Sequence, residues 1–250
     1  MTKVEVALIA GGGPGISASC ARLFSAQGMK VVVVARNTDK PVLQNLRDKD
    51  GVSLYACDVS DPSAVSSLFQ SVKNDLGIPR LVVHNIDGRT ANIFRKGIHE
   101  AEPEDVLATI RNSAFSAFLV GQQAAKYMLA ADDDHTGKKG TILYTNASAA
   151  SKGYAKSGAF AIACQGKKGL AESMARELGP KGIHIAQIPI DAAIGWTQED
   201  GTRRHWAAGA SVDDNMADPD YIAETYLQLH KQHRSTWAFE VTLRPWVEKW

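Results

Sequence analysis

The stretch Ala10 to Ser17 reads AGGGPGIS. It stands between an apolar run, VALIA (6–10), and a segment that carries Ile16, Cys20, Leu23 and Phe24 on one helical stripe as far as Gly28. An apolar run, then glycines, then a helical period describes a strand, a tight turn and a helix. Glycines at such a turn let an anionic group approach the backbone, where the positive helix N-terminus receives it. Alone the pattern is weak, since any tight strand–helix turn uses glycine. Its place at the first turn of the chain gives it weight, provided that the remaining residues continue the same strand–helix rhythm.

They do. Strand signals recur at VVVVA (31–35), SLYAC (53–57), LVVHN (81–85), TILYT (141–145), IHIAQI (183–188) and AFEVTLRP (238–245). Helical signals lie between them: a polar helix, then Ser60 and Asp61 before a helix with Val65, Leu68, Phe69 and Val72 on one side. A long helical pair runs through Asn112 to Met128, and a helix from about 158 to Leu178 is closed by Gly179-Pro180. Continuous apolar strands are buried on both faces, as in a parallel sheet covered by helices. The expected fold is α/β, a doubly wound Rossmann-type sheet, in one domain over residues 1–250 without internal repeats. Residues 131–140 read as a solvated loop. Residues 194–218 break the rhythm: they are polar, rich in Gly and Asp, and hold Trp196 and Trp206, which fits a lid inserted in the domain.

Composition narrows the function. With 250 residues, 44% hydrophobic and 22% charged, the chain can bury one sizeable core. Lysine and arginine number 28 against 27 acids, so no basic footprint for nucleic acid or an anionic membrane is expected. The apolar runs are far short of a membrane span, and no signal segment precedes VEVALIA. Three scattered cysteines, Cys20, Cys57 and Cys164, fit neither a disulfide framework nor a metal site. The expectation is a soluble cytoplasmic protein that acts on a small molecule.

The end of the second strand speaks to the cofactor. Arg36 stands where dinucleotide folds hold the adenosine ribose; an acid there suits a 2′-hydroxyl, an arginine a 2′-phosphate. Arg36 therefore favours NADP(H) over NAD(H), the alternative being a solvated strand-end arginine. The spacing Gly11-x3-Gly15-x-Ser17, Asp58-Val59 after the third strand, Asn85 ending the fourth, Asn112 in the following helix, and MARELGPKGIHI (174–185) together resemble the short-chain dehydrogenase/reductase superfamily. The resemblance covers nearly the whole chain and implies a seven-stranded parallel sheet. It places the cofactor on Gly11, Gly13, Gly15, Ile16, Arg36, Asp58, Val59, Asn85 and Ile190, with Asp58 facing the adenine. Ser17 stands for the usual third glycine. HNID (84–87) stands for Asn-Asn-Ala-Gly, so Asp87 puts a charge near the cofactor path or is a satisfied loop carboxylate.

The resemblance also implies a tyrosine, a lysine four residues later, a serine about thirteen residues before the tyrosine, and a helical asparagine. The matching positions here are Phe160, Cys164, Ala147 and Asn112, so only the asparagine remains. Ser148, Tyr154 and Lys156 lie nearby, but a Tyr–Lys spacing of two puts the pair on different helix faces. Lys167 and Lys168, seven and eight residues after Phe160, are expected to lie too far along the helix to serve. Asp191, where the family has Pro-Gly after the sixth strand, is either a new polar group in the site or a turn cap. His84 reads as a core histidine. Cys164, among apolar helix neighbours, is expected to pack rather than react. Ser148, Tyr154, Trp196 and Trp206 complete the expected substrate pocket.

A carbonyl that accepts hydride becomes an alkoxide and needs an acid; an iminium is already cationic and needs none. The expected activity is thus NADP(H)-dependent reduction of an imine or iminium, with Asp87 or Asp191 holding the cation. The lost tetrad and IGW (194–196) are similar to divergent fungal short-chain dehydrogenases of bridged indole-alkaloid biosynthesis, a resemblance that implies secondary metabolism and steering of an intramolecular Diels–Alder closure. The alternatives are a non-catalytic NADP(H)-binding scaffold or sensor, and a ketone reductase with a relocated acid. The family resemblance, with AFEVTLRP and the tail WVEKW, implies a homodimer or homotetramer.

Overall fold

The computed structural model describes residues 4–198, 200, 202–205, 209–211 and 214–249. Six parallel strands form the main sheet: β1 (Val6–Ala10), β2 (Lys30–Ala35), β3 (Ser53–Ala56), β4 (Pro79–His84), β5 (Gly140–Ala147) and β6 (Ile183–Ile190). Their spatial order is β3-β2-β1-β4-β5-β6. Connections run one way from β1 to β3 and the other way from β4 to β6, so the order reverses between β1 and β4. The C-terminal ends of these two strands splay their loops apart and open a crevice.

Alternate side chains of each strand feed two separate cores. Val31 and Val33 face one layer, with Phe24, Leu43, Ile222 and Tyr226; Val32 and Val34 face the other, with Phe69, Val120 and Met128. The helices of the first layer are α1 (Ile16–Ala26), α2 (Pro41–Asp50) and α7 (Pro219–Lys231). Those of the second are α3 (Pro62–Asp75), α4 (Pro103–Ile110), α5 (Ser116–Leu129) and α6 (Gly158–Leu178). Local chemistry starts two of them, the first where the sequence places it. Asp61 caps α3 by accepting from the Ala64 amide at 2.9 Å, and Asp218 caps α7 by accepting from the Asp220 amide at 2.9 Å.

The seven-stranded sheet expected from the sequence is corrected in one respect. Residues 239–243 run parallel to β6 but bond to it only as isolated bridges at Glu240 and Leu243. Gln187 N donates to Phe239 O (2.8 Å), Val241 N to Gln187 O (3.2 Å), Leu243 N to Pro189 O (3.0 Å), and Asp191 N to Leu243 O (2.8 Å). The missing rung belongs to Pro189, which has no N–H to give Val241 O. The ladder is therefore broken in its middle, and six continuous strands remain.

The expected lid has its own architecture. β7 (Trp196–Thr197), β8 (Arg203–His205) and β9 (Gly209–Ser211) pair as a small antiparallel sheet. A bridge between Ile194 and Ala217 closes its base. Trp206 lies outside the described residues.

Candidate active site

The crevice between β1 and β4 is a cleft of about 860 Å3. At one end the turn after β1 forms its floor. Gly11 has φ +108°, and a Cβ on it would strike the Asn85 carbonyl, so the turn and the end of β4 touch backbone to backbone. Gly13 faces open space, leaving its backbone approachable. Ser17, where a third glycine was expected, is buried: its hydroxyl donates to the Gly11 carbonyl and accepts from Asn85 Nδ2 at 2.7 Å. The serine thus ties the turn to β4. The N-terminus of α1 has no side-chain cap and no acid in its first turn, which leaves its amides for an anion.

Arg36 follows β2 on the same side, and Lys40 joins it, donating to Gly12 O at 3.1 Å. Two cations therefore border the turn. Asp58, Val59 and Ser60 line the cleft beyond them. The amide of Ser60 bonds the Asp58 carboxylate at 2.9 Å and its hydroxyl does so at 2.8 Å; these bonds, with the charges of Arg36 and Arg111, hold that carboxyl below its usual range despite some burial. An approachable glycine turn, an uncapped helix, two cations and an acceptor fit the diphosphate, 2′-phosphate and adenosine of NADP(H).

The other end of the cleft is built on α6. Phe160, Cys164 and Lys167 lie on one face of that helix, with Ala147 at the end of β5 beside them. Burial pushes the Cys164 thiol up to about 11, so it is protonated near neutrality. Lys167 corrects an expectation. It does lie one turn beyond Cys164, yet its side chain reaches back into the cleft, where Nζ donates to Ile86 O (2.9 Å) and Thr145 O (3.2 Å). It is 2% exposed, and burial lowers its pKa to about 8. This residue brings the only amine among the described residues into the end of the cleft lined by Phe160 and Cys164.

Arg89 lies at the same end and was not singled out from the sequence. Gly88, at φ +82°, turns the chain so that Arg89 folds back on Asp87: Nε to Oδ1 at 2.7 Å, Nη2 to Oδ2 at 2.5 Å. The guanidinium lies over the Phe160 ring, 4.2 Å from its centroid. His205 of β8 also lines the cleft; burial and the Arg89 charge lower its pKa. Asn112 sits in a π-helical turn, Arg111–Phe115, that joins α4 to α5, with its amide 3.5 Å from Gly88 O. Ile190, Ile194 and Trp196 line the cleft on the side of β6 and β7.

The expected catalytic carboxylate Asp191 and two expected pocket residues are gathered elsewhere. Asp191, Ser148 and Tyr154 are not among the residues lining the cleft and form a cluster with Lys152 and Arg244 beside the end of β6. Asp191 is buried; that burial would raise its carboxyl, but bonds from Ser148 and Lys152 and the charge of Arg244 bring it below the usual range. His84 is fully buried and bonded to Ser116 Oγ at 2.9 Å, as a core histidine.

A doubly wound parallel sheet with a glycine turn at its reversal point defines a dinucleotide-binding α/β protein. The family model described as enoyl-(acyl carrier protein) reductase matches residues 11–238. The chain belongs to the short-chain dehydrogenase/reductase superfamily of oxidoreductases. Among its relatives is short chain aldehyde dehydrogenase 1 of Euphorbia lathyris, 27% identical over 183 residues, a match spanning 72% of this chain but 61% of the relative. A short-chain dehydrogenase of Rhodopseudomonas palustris superposes with a TM-score of 0.77 at 27% identity, over 97% of this chain and 99% of that one. A metagenomic short-chain oxidoreductase solved with NADP gives a TM-score of 0.77 at 22% identity, over 98% of each chain.

Proposed function

We propose that this protein is an atypical NADP(H)-dependent reductase whose substrate is a pre-activated imine or iminium of secondary metabolism. The observation that carries the reading is the wall of the cleft: Phe160, Cys164 and Ala147 stand together there, and none is an acid at neutral pH. Arg36 and Lys40 would hold the 2′-phosphate, the turn at Gly11 to Gly15 with the start of α1 the diphosphate, and Asp58 the adenosine. Bound NADPH supplies a hydride. Phe160 and Ala147 exclude water and present an apolar face, which favours a step that neutralises a cation. Asp87 supplies a carboxylate within the same cleft. Asn112 and the π turn hold the loop that carries Asp87.

A shaped apolar wall of Phe160, Ala147 and Trp196 is also what an intramolecular cyclisation of Diels–Alder type requires, and orienting that closure belongs to the proposal. The protein is further proposed to act as a homodimer or homotetramer. Exposed Leu107, Phe118 and Ile162 on α4, α5 and α6, and exposed Trp246 and Val247 near the chain end, supply apolar surface for it.

One observation favours a second reading. Lys167 is an amine in the cleft with a pKa near that of a useful proton donor, so it fits the relocated acid of a ketone reductase. Incubation with NADPH carrying deuterium at the transferable position, and with an N-methyl cyclic iminium, tests the main proposal. One deuterium in the product amine is expected. Unlabelled, unreacted iminium together with tight cofactor binding would replace the proposal by a non-catalytic scaffold.

A further inference from the structure

The position expected to carry a tyrosine carries Phe160, and a position expected to carry a glycine carries Asp87. These two residues are seventy-three apart in sequence and meet at one point, through the guanidinium that lies between them. That guanidinium has an aromatic face at 4.2 Å on one side and a carboxylate along two of its nitrogens. A second ring, Phe94, lies 5.6 Å from it. An aromatic face plus an in-plane carboxylate is a cation site. A guanidinium is planar, delocalised and built around C=N, so its occupancy shows which shape and charge the site takes.

We infer that Phe160 and Asp87 form the subsite for a planar C–N cation of the substrate, and that Arg89 fills this subsite in the free protein and leaves it when the substrate enters. The inference rests on the iminium reading and adds the place and the gate. Arg89 can be exchanged cheaply. Its side chain is 29% exposed and that of Asp87 50% exposed, so the ion pair is screened by water. The arginine hangs on a loop whose turn is a glycine at φ +82°. Replacing one cation by another keeps the carboxylate paired throughout. An anion anchor would need the guanidinium fork free, whereas here the Nε–Nη2 edge is spent on Asp87.

Calorimetric binding of an N-methyl cyclic iminium to the full-length protein, in the absence of NADPH, tests the inference. A neutral ring ketone of the same shape serves as the control ligand. Arg89→Gln is expected to bind the cation roughly three- to fivefold more tightly than the parent, by removal of the competing guanidinium. Asp87→Asn and Phe160→Leu are each expected to weaken the cation by a similar factor, and in each variant the change for the neutral ketone is expected to be smaller than that for the cation. Weaker cation binding in Arg89→Gln, equal binding in parent and variant, or no binding by any of them would overturn it. Because turnover is not measured, the outcomes separate from those of the reductase reading. A protein that reduces iminium with no effect of Arg89→Gln loses the gate and keeps the activity. A protein that binds as expected but reduces nothing keeps the subsite and loses the reaction.

Discussion

Lys167 sits where a charge is costly. Its ammonium has two carbonyl acceptors and, among the described residues, no ion-pair partner, and burial lowers its pKa from 10.5 to about 8. A folded pKa below the unfolded one means that the unfolded chain binds more protons between about pH 8 and pH 10.5, so stability rises with pH across that window. The side chain therefore destabilises the fold most at neutral pH. Lys167→Met should lose that dependence. In urea unfolding at a series of pH values, the stability of the parent relative to the variant should improve by up to about 3 kcal/mol between pH 7 and pH 10. A flat difference would show that the amine is not buried. Sequence reading set this residue aside as too far along the helix, because counting positions along α6 locates the backbone and not the reach of a four-carbon side chain. Phe160, Cys164 and Ala147 were legible because each is a change at a family position. Arg89 left no such mark; its role depends on Gly88 folding it back onto Asp87.

At the level of elements, the strand and helix order was legible from continuous apolar runs, since each strand feeds both cores. The caps at Asp61 and the ends of α6 were legible from local chemistry. Asp61→Ala should lower the midpoint of urea unfolding, because α3 loses its N-cap acceptor. The broken edge of the sheet was not legible from the apolar pattern of residues 238–245, because the defect lies in the partner strand at Pro189. Nor was the pairing of β7, β8 and β9, where three short strands depend on one another rather than on an apolar period. The turn at Gly88 carries more than local weight. An added Cβ would lie 2.7 Å from Ser113 N, at a φ of +82° that disfavours L side chains. Gly88→Ala should therefore cost at least about 2 kcal/mol and weaken iminium binding, because the π turn and the Asp87–Arg89 loop pack against each other there. Unchanged melting and binding would show that the turn does not support the site.

For the whole molecule, fold and cleft location follow from one feature, the reversal of strand order between β1 and β4, which places the glycine turn and Asn85 side by side. The charge balance predicted no nucleic-acid or membrane role, and among the described residues no helix is long and apolar enough to cross a membrane. Fluorescence titration should show NADPH binding more tightly than NADH, and Arg36→Ala should remove most of the difference; equal affinities in the parent would refute the reading of Arg36. Light scattering should give a dimer or tetramer, and a monomer would contradict the proposed assembly. The central claim is that the cleft reduces a cation without a proton donor. Its most direct test is the initial rate of NADPH consumption with an N-methyl cyclic iminium, measured beside the ring ketone of the same shape. The expected iminium rate exceeds the ketone rate by about 10²–10⁴, the usual contribution of a missing acid. Comparable rates for both, with the ketone rate abolished in Lys167→Met, would contradict the claim and assign the acid to Lys167.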